Sequence, residues 1–344
     1  MLSPKYAFIL AYLKGEEAKV VNSDHIDKML KASDIQDALE VIRETDIGSY
    51  FEELTVKNFD DLDGYLWEYF VRCVNCVESF KFLPGDVLKV SRAYIVKYDV
   101  LNIKAALRGI SAGKKSRMIP VGVIHDNELL DELSAAVNIG DIIELLIKCE
   151  LGDYVPALKE CEADGGAKSK LLTEARLDGE YYKSMLNMAK GVKDGSVFSK
   201  ALGLIIDLTN LQIASRAIIE GVGLDAAEYI IPDGYVIADK TIREILSSNL
   251  ADMPHRLEDT QYRDVAEEIL SGYEKTASIT TVEEIIDKHK FRLLKEILSP
   301  RALSPLVMAW YLILKEFEIR NLRLILKAIA DGVATDELKM YLVL

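Results

Sequence analysis

The sequence predicts an all-α fold made of three copies of one helical unit. Three observations lead there: helical periodicity along nearly the whole chain, a polar motif that returns at offsets of 108 and 219, and a second motif that opens each third. Ala38, Leu39, Val41 and Ile42 keep the i, i+3, i+4 spacing of an amphipathic helix, as do Leu202, Ile205 and Ile206 and the run Leu322 to Ile329. Strand-type alternation is nearly absent, and few prolines interrupt the helical segments.

A second signature opens each third. Asp34-Ile35-x-Asp37, followed by Glu44-Thr45, matches Asn249-Leu250-x-Asp252, followed by Asp259-Thr260, at an offset of 215. The middle copy is Asn138-Ile139-x-Asp141. There Gly152 and Tyr154 stand 104 residues after Gly48 and Tyr50, and Cys149 replaces the threonine. Two connectors follow, Gly109 to Asp126 and Gly221 to Asp239, carrying Ile119-Pro120-Val121-Gly122 and Ile231-Pro232-Asp233-Gly234. A proline that removes a donor and a glycine that tolerates positive φ mark turns between helical blocks.

Each third closes on an acid, an Asn three residues on, a base six residues later and a Gly five after that. The copies are Asp99, Asn102, Arg108 and Gly113; Asp207, Asn210, Arg216 and Gly221; and Glu318, Asn321, Lys327 and Gly332. Two signatures returning in one order define three homologous helical domains, 1–118, 119–230 and 231–344, each of ordinary domain size. On a helix, acid, Asn and Gly share one stripe while the base falls opposite. That stripe suits a helix pressed on a neighbour, with Asn and Asp bonding a neighbouring backbone and Gly giving close approach or ending the helix. A motif present once per domain describes construction, whereas a catalytic site would make one copy different.

Composition narrows the function. The 344 residues carry 42 Lys and Arg against 56 Asp and Glu, a net charge of −14, which argues against a nucleic-acid surface. Four cysteines in this length make no disulfide framework and suit a reducing compartment. The N-terminal Met1-Leu2-Ser3-Pro4-Lys5 lacks the pattern of an address, and the longest apolar stretch, Pro305 to Leu314, is closed by Lys315 and Glu316. A soluble protein without direct membrane insertion is expected.

Several chemical look-alikes fail on detail. Gly109 to Ser116 resembles a phosphate loop but has three residues between its glycines, an extra Lys before Ser, and a helix leading in, so a basic loop is the better reading. Cys73-x-x-Cys76 is a lone pair, with Cys149 and Cys161 too remote for a standard zinc spacing. Asp60-Asp61-x-Asp63 invites magnesium, yet no second copy appears and helix capping explains it. His25, His125, His255 and His289 show no ligand pairing. No catalytic, cofactor or metal residue is assigned.

The residues then acquire a family. Tyr98 to Arg108, the Glu44-Thr45 element before Ile47-Gly48, the Leu62-Asp63 and Leu177-Asp178 pairs before aromatic helices, and Glu318-x-x-Asn321-Leu322 together resemble one group of proteins. It is the central-stalk connector of A-type and V-type rotary ATPases, known as the C subunit or, in eukaryotes, the d subunit. Departures are Ile47, where the family favours Tyr, and Cys149. The resemblance implies a pseudo-three-fold funnel that couples the central-stalk shaft subunits to the membrane rotor ring subunits. Such a connector makes and breaks no bond, needs no cofactor and sits on the cytoplasmic face of the membrane through its complex. The alternatives are a helical-repeat scaffold outside that machine and a magnesium-dependent helical enzyme. Charge adds a partner expectation: net −1 over 1–118, −9 over 119–230 and −4 over 231–344, so the middle domain would offer either an acidic face to basic residues of the shaft or ring or a solvated face that aids solubility.

Overall fold

In a computed structural model, residues 4–54, 56, 59–163, 170–301, 303–333, 338–339 and 341–343 are described, with the backbone alone at 4, 5 and 170. Residues 1–3, where the sequence lacks the pattern of an address, lie outside them. The fold is all-α, with no strand among the described residues. The helices are α1 (Pro4–Glu17), α2 (Ser23–Met29), α3 (Ile35–Val41), α4 (Asp46–Glu52), α5 (Phe59–Glu78) and α6 (Gly85–Ala112). Next come α7 (Val123–Asp126), α8 (Leu130–Ser134), α9 (Ile139–Lys148), α10 (Val155–Ala163), α11 (Lys170–Ala189) and α12 (Gly195–Ile219). The last are α13 (Asp239–Leu246), α14 (Met253–Arg256), α15 (Arg263–Thr276), α16 (Ile279–Leu298) and α17 (Leu306–Ala330).

One sequence of elements recurs. A capped short helix (α3, α9, or the turn Leu250–Asp252 running into α14) leads to a second helix (α4, α10, α15). A long helix follows (α5, α11, α16), then the long helix that carries the closing motif (α6, α12, α17). The cap is the same each time. Asp34 accepts from the Asp37 amide at 2.9 Å, Asn138 from Asp141 at 2.9 Å and Asn249 from Asp252 at 3.1 Å, each serving a helix-start N–H that has no partner within the helix. Thr45 and Thr260 also act alike, donating to the carbonyls of Ile42 and Leu257 at 2.5 and 2.8 Å.

The chain divides into two compact units, Met1–Ser91 with Leu294–Leu344, and Arg92–Leu293. In the first, α17 packs on α1, α3 and α5, burying Trp310, Leu312, Ile319 and Leu322 along with Leu62, Leu66 and Phe70. In the second, α12 packs on α11 and α13. Among the described residues α12 is long and apolar enough to cross a bilayer, but most of it is buried inside the protein and it carries Asp207 and Asn210 mid-length. Its apolar surface belongs to the core. The Leu62-Asp63 and Leu177-Asp178 pairs, expected before their aromatic helices, lie inside α5 and α11.

Asp34→Ala, Asn138→Ala and Asn249→Ala should each lower stability by about 1 kcal/mol, the usual worth of an N-cap. Urea unfolding of the three variants checks both the size and its near-equality.

Candidate functional site

The closing motif is a largely buried polar constellation that the sequence repeats three times, and its chemistry is set by where three helices end. Past each end, Gly113, Gly221 and Gly332 take φ of +63°, +73° and +66°. The next residue bonds back to the helix: Lys114 N to Gly109 O, Val222 N to Ala217 O and Val333 N to Ala328 O, at 3.1, 2.8 and 2.9 Å. This left-handed stop satisfies carbonyls that a helix end leaves unpaired. Of the two roles open to these glycines, ending the helix is the one they take.

Each Asn makes the same pair of bonds. The Asn102 amide donates to the carbonyl of Ile119 at 2.8 Å and accepts from that residue's N–H at 2.7 Å. Asn210 does so with Ile231 at 2.8 and 2.9 Å, and Asn321 with Val343 at 2.6 and 3.0 Å. All three side chains are buried. A primary amide carries a donor and an acceptor side by side, so it pairs with one residue's backbone as a neighbouring strand would.

The acids accept from backbone that lies beyond their own helices. Asp99 takes the N–H groups of Val123 and Ile124, both at 2.9 Å. Asp207 takes those of Tyr235, Val236 and Ile237 at 3.2, 2.8 and 3.2 Å, and the Tyr262 hydroxyl donates to it at 3.1 Å. Glu318 takes the N–H of Val21, 297 positions away, at 2.7 Å. The glycine of each Ile-Pro-x-Gly connector explains the close approach. A Cβ on Gly122, whose φ is +110°, would stand 2.5 Å from the Asp99 carboxylate, and one on Gly234 would run into that of Asp207. Burial pushes the Asp99 carboxyl up to about 7 against the pull of its two N–H donors. It raises Asp207 and Glu318 too. Beside Glu318, the buried Lys315 ammonium lies 3.1 Å away and donates to the Tyr69 hydroxyl at 2.6 Å, which donates to Asp46 at 2.9 Å.

The bases point elsewhere. Arg108 and Arg216 both bond the buried Glu174 of α11, at 2.9 and 3.3 Å, and Arg216 lies 3.7 Å from Glu283 of α16. Lys327 pairs with Asp331 at 2.9 Å and lies 5.1 Å from the centre of the Phe59 ring of α5. A further position escapes a reading of the sequence. Two residues after each Asn stand Lys104, Gln212 and Arg323, which meet Asp178 of α11 at 2.5 Å, Lys290 of α16 at 3.4 Å, and Asp63 of α5. The signal is there, since polar residues recur at the motif's own offsets.

The look-alikes resolve into packing. Asp63 is buried and bonded to Arg323, and Asp60 and Asp61 lie in the first turn of α5. Cys73 is buried with its thiol pushed up to about 11, and the Tyr12 hydroxyl lies 3.2 Å from exposed Cys76. Ser116 folds back to bond the Ala105 carbonyl at 2.6 Å. Among the described residues no group of His, Cys, Asp and Glu is placed to hold a metal ion.

Gly122→Ala and Gly234→Ala should each cost about 1–3 kcal/mol by driving a methyl into a buried carboxylate, read as a lower urea midpoint. The Asp99 carboxyl also gives a signed pH effect. Its folded value of about 7 lies above the ordinary 3.8, so between those values the folded chain keeps a proton that the unfolded chain has released. Stability therefore falls as pH rises from about 4 through 7, and Asp99→Asn should flatten that part of a stability–pH curve.

Comparison with known proteins gives this geometry a context. Residues 9–341 match the family model described as ATP synthase (C/AC39) subunit. Among similar proteins, the C subunit of the A-type ATP synthase of Methanocaldococcus jannaschii is 26% identical, over 98% of this chain and 86% of its own length. Its counterpart of the same name from Pyrococcus abyssi is 25% identical over 97% and 89%, and that of Haloquadratum walsbyi 24% over 98% and 97%. With the match running through all three closing motifs, the chain belongs to the ATP synthase (C/AC39) subunit family.

Proposed function

We propose that this chain is the non-catalytic connector of an A-type rotary ATP synthase, joining the central-stalk shaft to the membrane rotor ring. The observation that carries the reading is the engagement of every motif acid and Asn with backbone or a structural ion pair, three times over, in a chain of this family. Groups tied up in this way hold a body together. Three like domains, 1–118, 119–230 and 231–344, arranged as a pseudo-three-fold funnel would suit a part that sits concentrically on a ring and passes torque. The chain would work on the cytoplasmic face, held there by its complex.

The acidic balance supports a docking face on the middle domain. From Val123 to Ala163 there are ten acids against Lys148 and Lys159, which accounts for most of that domain's excess. Glu144, Glu150 and Glu162 are exposed, whereas Glu160 is engaged by the Tyr229 hydroxyl at 3.1 Å and by Arg176 at 3.4 Å. A basic shaft or ring surface would be steered to that face.

Co-expression with the shaft and ring subunits should give a complex that co-purifies through this chain. Failure to co-purify, or ATP hydrolysis by the isolated chain, would sink the proposal. Within the complex, replacing Glu144, Glu150 and Glu162 together by Gln should slow association with the shaft and flatten its dependence on salt. Association rates unchanged across a salt series would confine those acids to solubility.

A further inference from the structure

One difference among the three closing helices is where their partners lie along the chain. The motif of α6 holds residues 119–124 and engages α11, all downstream. The motif of α12 holds 231–237 and engages α16, again downstream, while Arg216 also reaches back to Glu174 of α11. The motif of α17 looks downstream for its Asn, which takes Val343. Its other long-range partners come from the start of the sequence: Val21 for the acid, Asp63 of α5 for the position after the Asn, and the Phe59 ring of α5 for the base. Position by position, these are the places that the first two motifs fill with the next domain. Val21 lies 13 residues before the capping Asp34, Ile124 lies 14 before Asn138, and Val236 lies 13 before Asn249.

We infer that Glu318 and Asn321 clasp the N- and C-terminal segments in a third seam equivalent to those of the first two motifs. The clasp has its own reinforcement. A tethered seam forms between segments at most 78 residues apart, whereas this one must bring together parts 297 residues apart, at a larger loop-closure cost. Correspondingly, Lys315 stands where the first two motifs have Val96 and Leu204, and gives Glu318 a buried counter-charge. Around it, Lys339 pairs with Asp27 at 2.7 Å, Glu17 accepts from the Trp310 indole at 3.1 Å, and Lys14 donates to the Ser299 carbonyl at 3.1 Å.

Equivalence makes the seams exchangeable, and a circular permutant tests it. Leu344 is joined to Met1 through a Gly/Ser linker of about 15 residues, whose mean span is about 20 Å. New ends are placed between exposed Lys114 and Lys115, so that the seam of Asp99 and Asn102 loses its tether. The permutant should fold and unfold at a urea midpoint close to the parent's. The sensitivities should then exchange: Asn102→Ala lowers the midpoint more in the permutant than in the parent, and Asn321→Ala lowers it less. A permutant that does not fold, or one that keeps the parent's ranking, overturns the equivalence. Hydrogen exchange on the natural chain reads the clasp directly. The amides of Val21 and Val343 should exchange as slowly as those of Ile119 and Ile231, and Asn321→Ala should speed both together. Rapid exchange of both in the unaltered chain overturns the clasp.

Discussion

The structure depends on a pair of hydrogen bonds, made three times, between an asparagine amide and the backbone of one residue beyond a helix end. A chain leaving a long buried helix carries N–H and C=O groups that must be paired before they can be covered. The motif glycines turn the chain and satisfy the last carbonyls, and the Asn side chains then take both polar groups of Ile119, Ile231 and Val343. No shorter or singly functional side chain could do both. With those groups paired, apolar residues such as Ile231 and Val343 can be buried where a loop would otherwise need water.

The acids pose the harder problem, because a buried carboxylate is costly unless charge or hydrogen bonds compensate it. The three copies solve it differently. Asp99 has two N–H donors, and its carboxyl is pushed up to about 7, so it stays largely protonated below neutrality. Asp207 gathers three N–H donors and the Tyr262 hydroxyl. Glu318 has one N–H donor and the Lys315 ammonium. Tyr262 stands two residues after Thr260, as Ile47 stands two after Thr45. Ile47 has no hydroxyl to offer, and in that copy the charged network of Lys315, Tyr69 and Asp46 occupies the neighbourhood of the acid instead.

How much of this is legible in the sequence follows from the range of each interaction. The helical class and the capping residues Asp34, Asn138 and Asn249 are local properties, and periodicity and residue type expose them. The sharing of one helix face by acid and Asn follows from spacing, as does the opposite direction of Arg108 and Arg216. The identity of each partner does not. Ile119 and Ile231 stand out only as turn residues, because nothing local says which carbonyl an amide will find. Glu174 is hidden for a related reason: its value lies in being reached by two arginines from two different helices. Val21 is the extreme case, a plain apolar residue whose role is its N–H.

Why the motif should be polar at all is the remaining question, since leucine and isoleucine supply most of the burial. Apolar contact is not directional, and two greasy helices can slip by a turn or rotate with little loss. A buried amide or carboxylate has one register in which its partners are met, and any other leaves it unpaired at a cost of about 1–3 kcal/mol per group. The motifs therefore contribute less to how strongly the helices adhere than to which single arrangement they adopt. In the proposed role that distinction matters more than raw stability. A connector under torque would lose work to every slippage between its helices, and the three sets of register-fixing bonds would resist it.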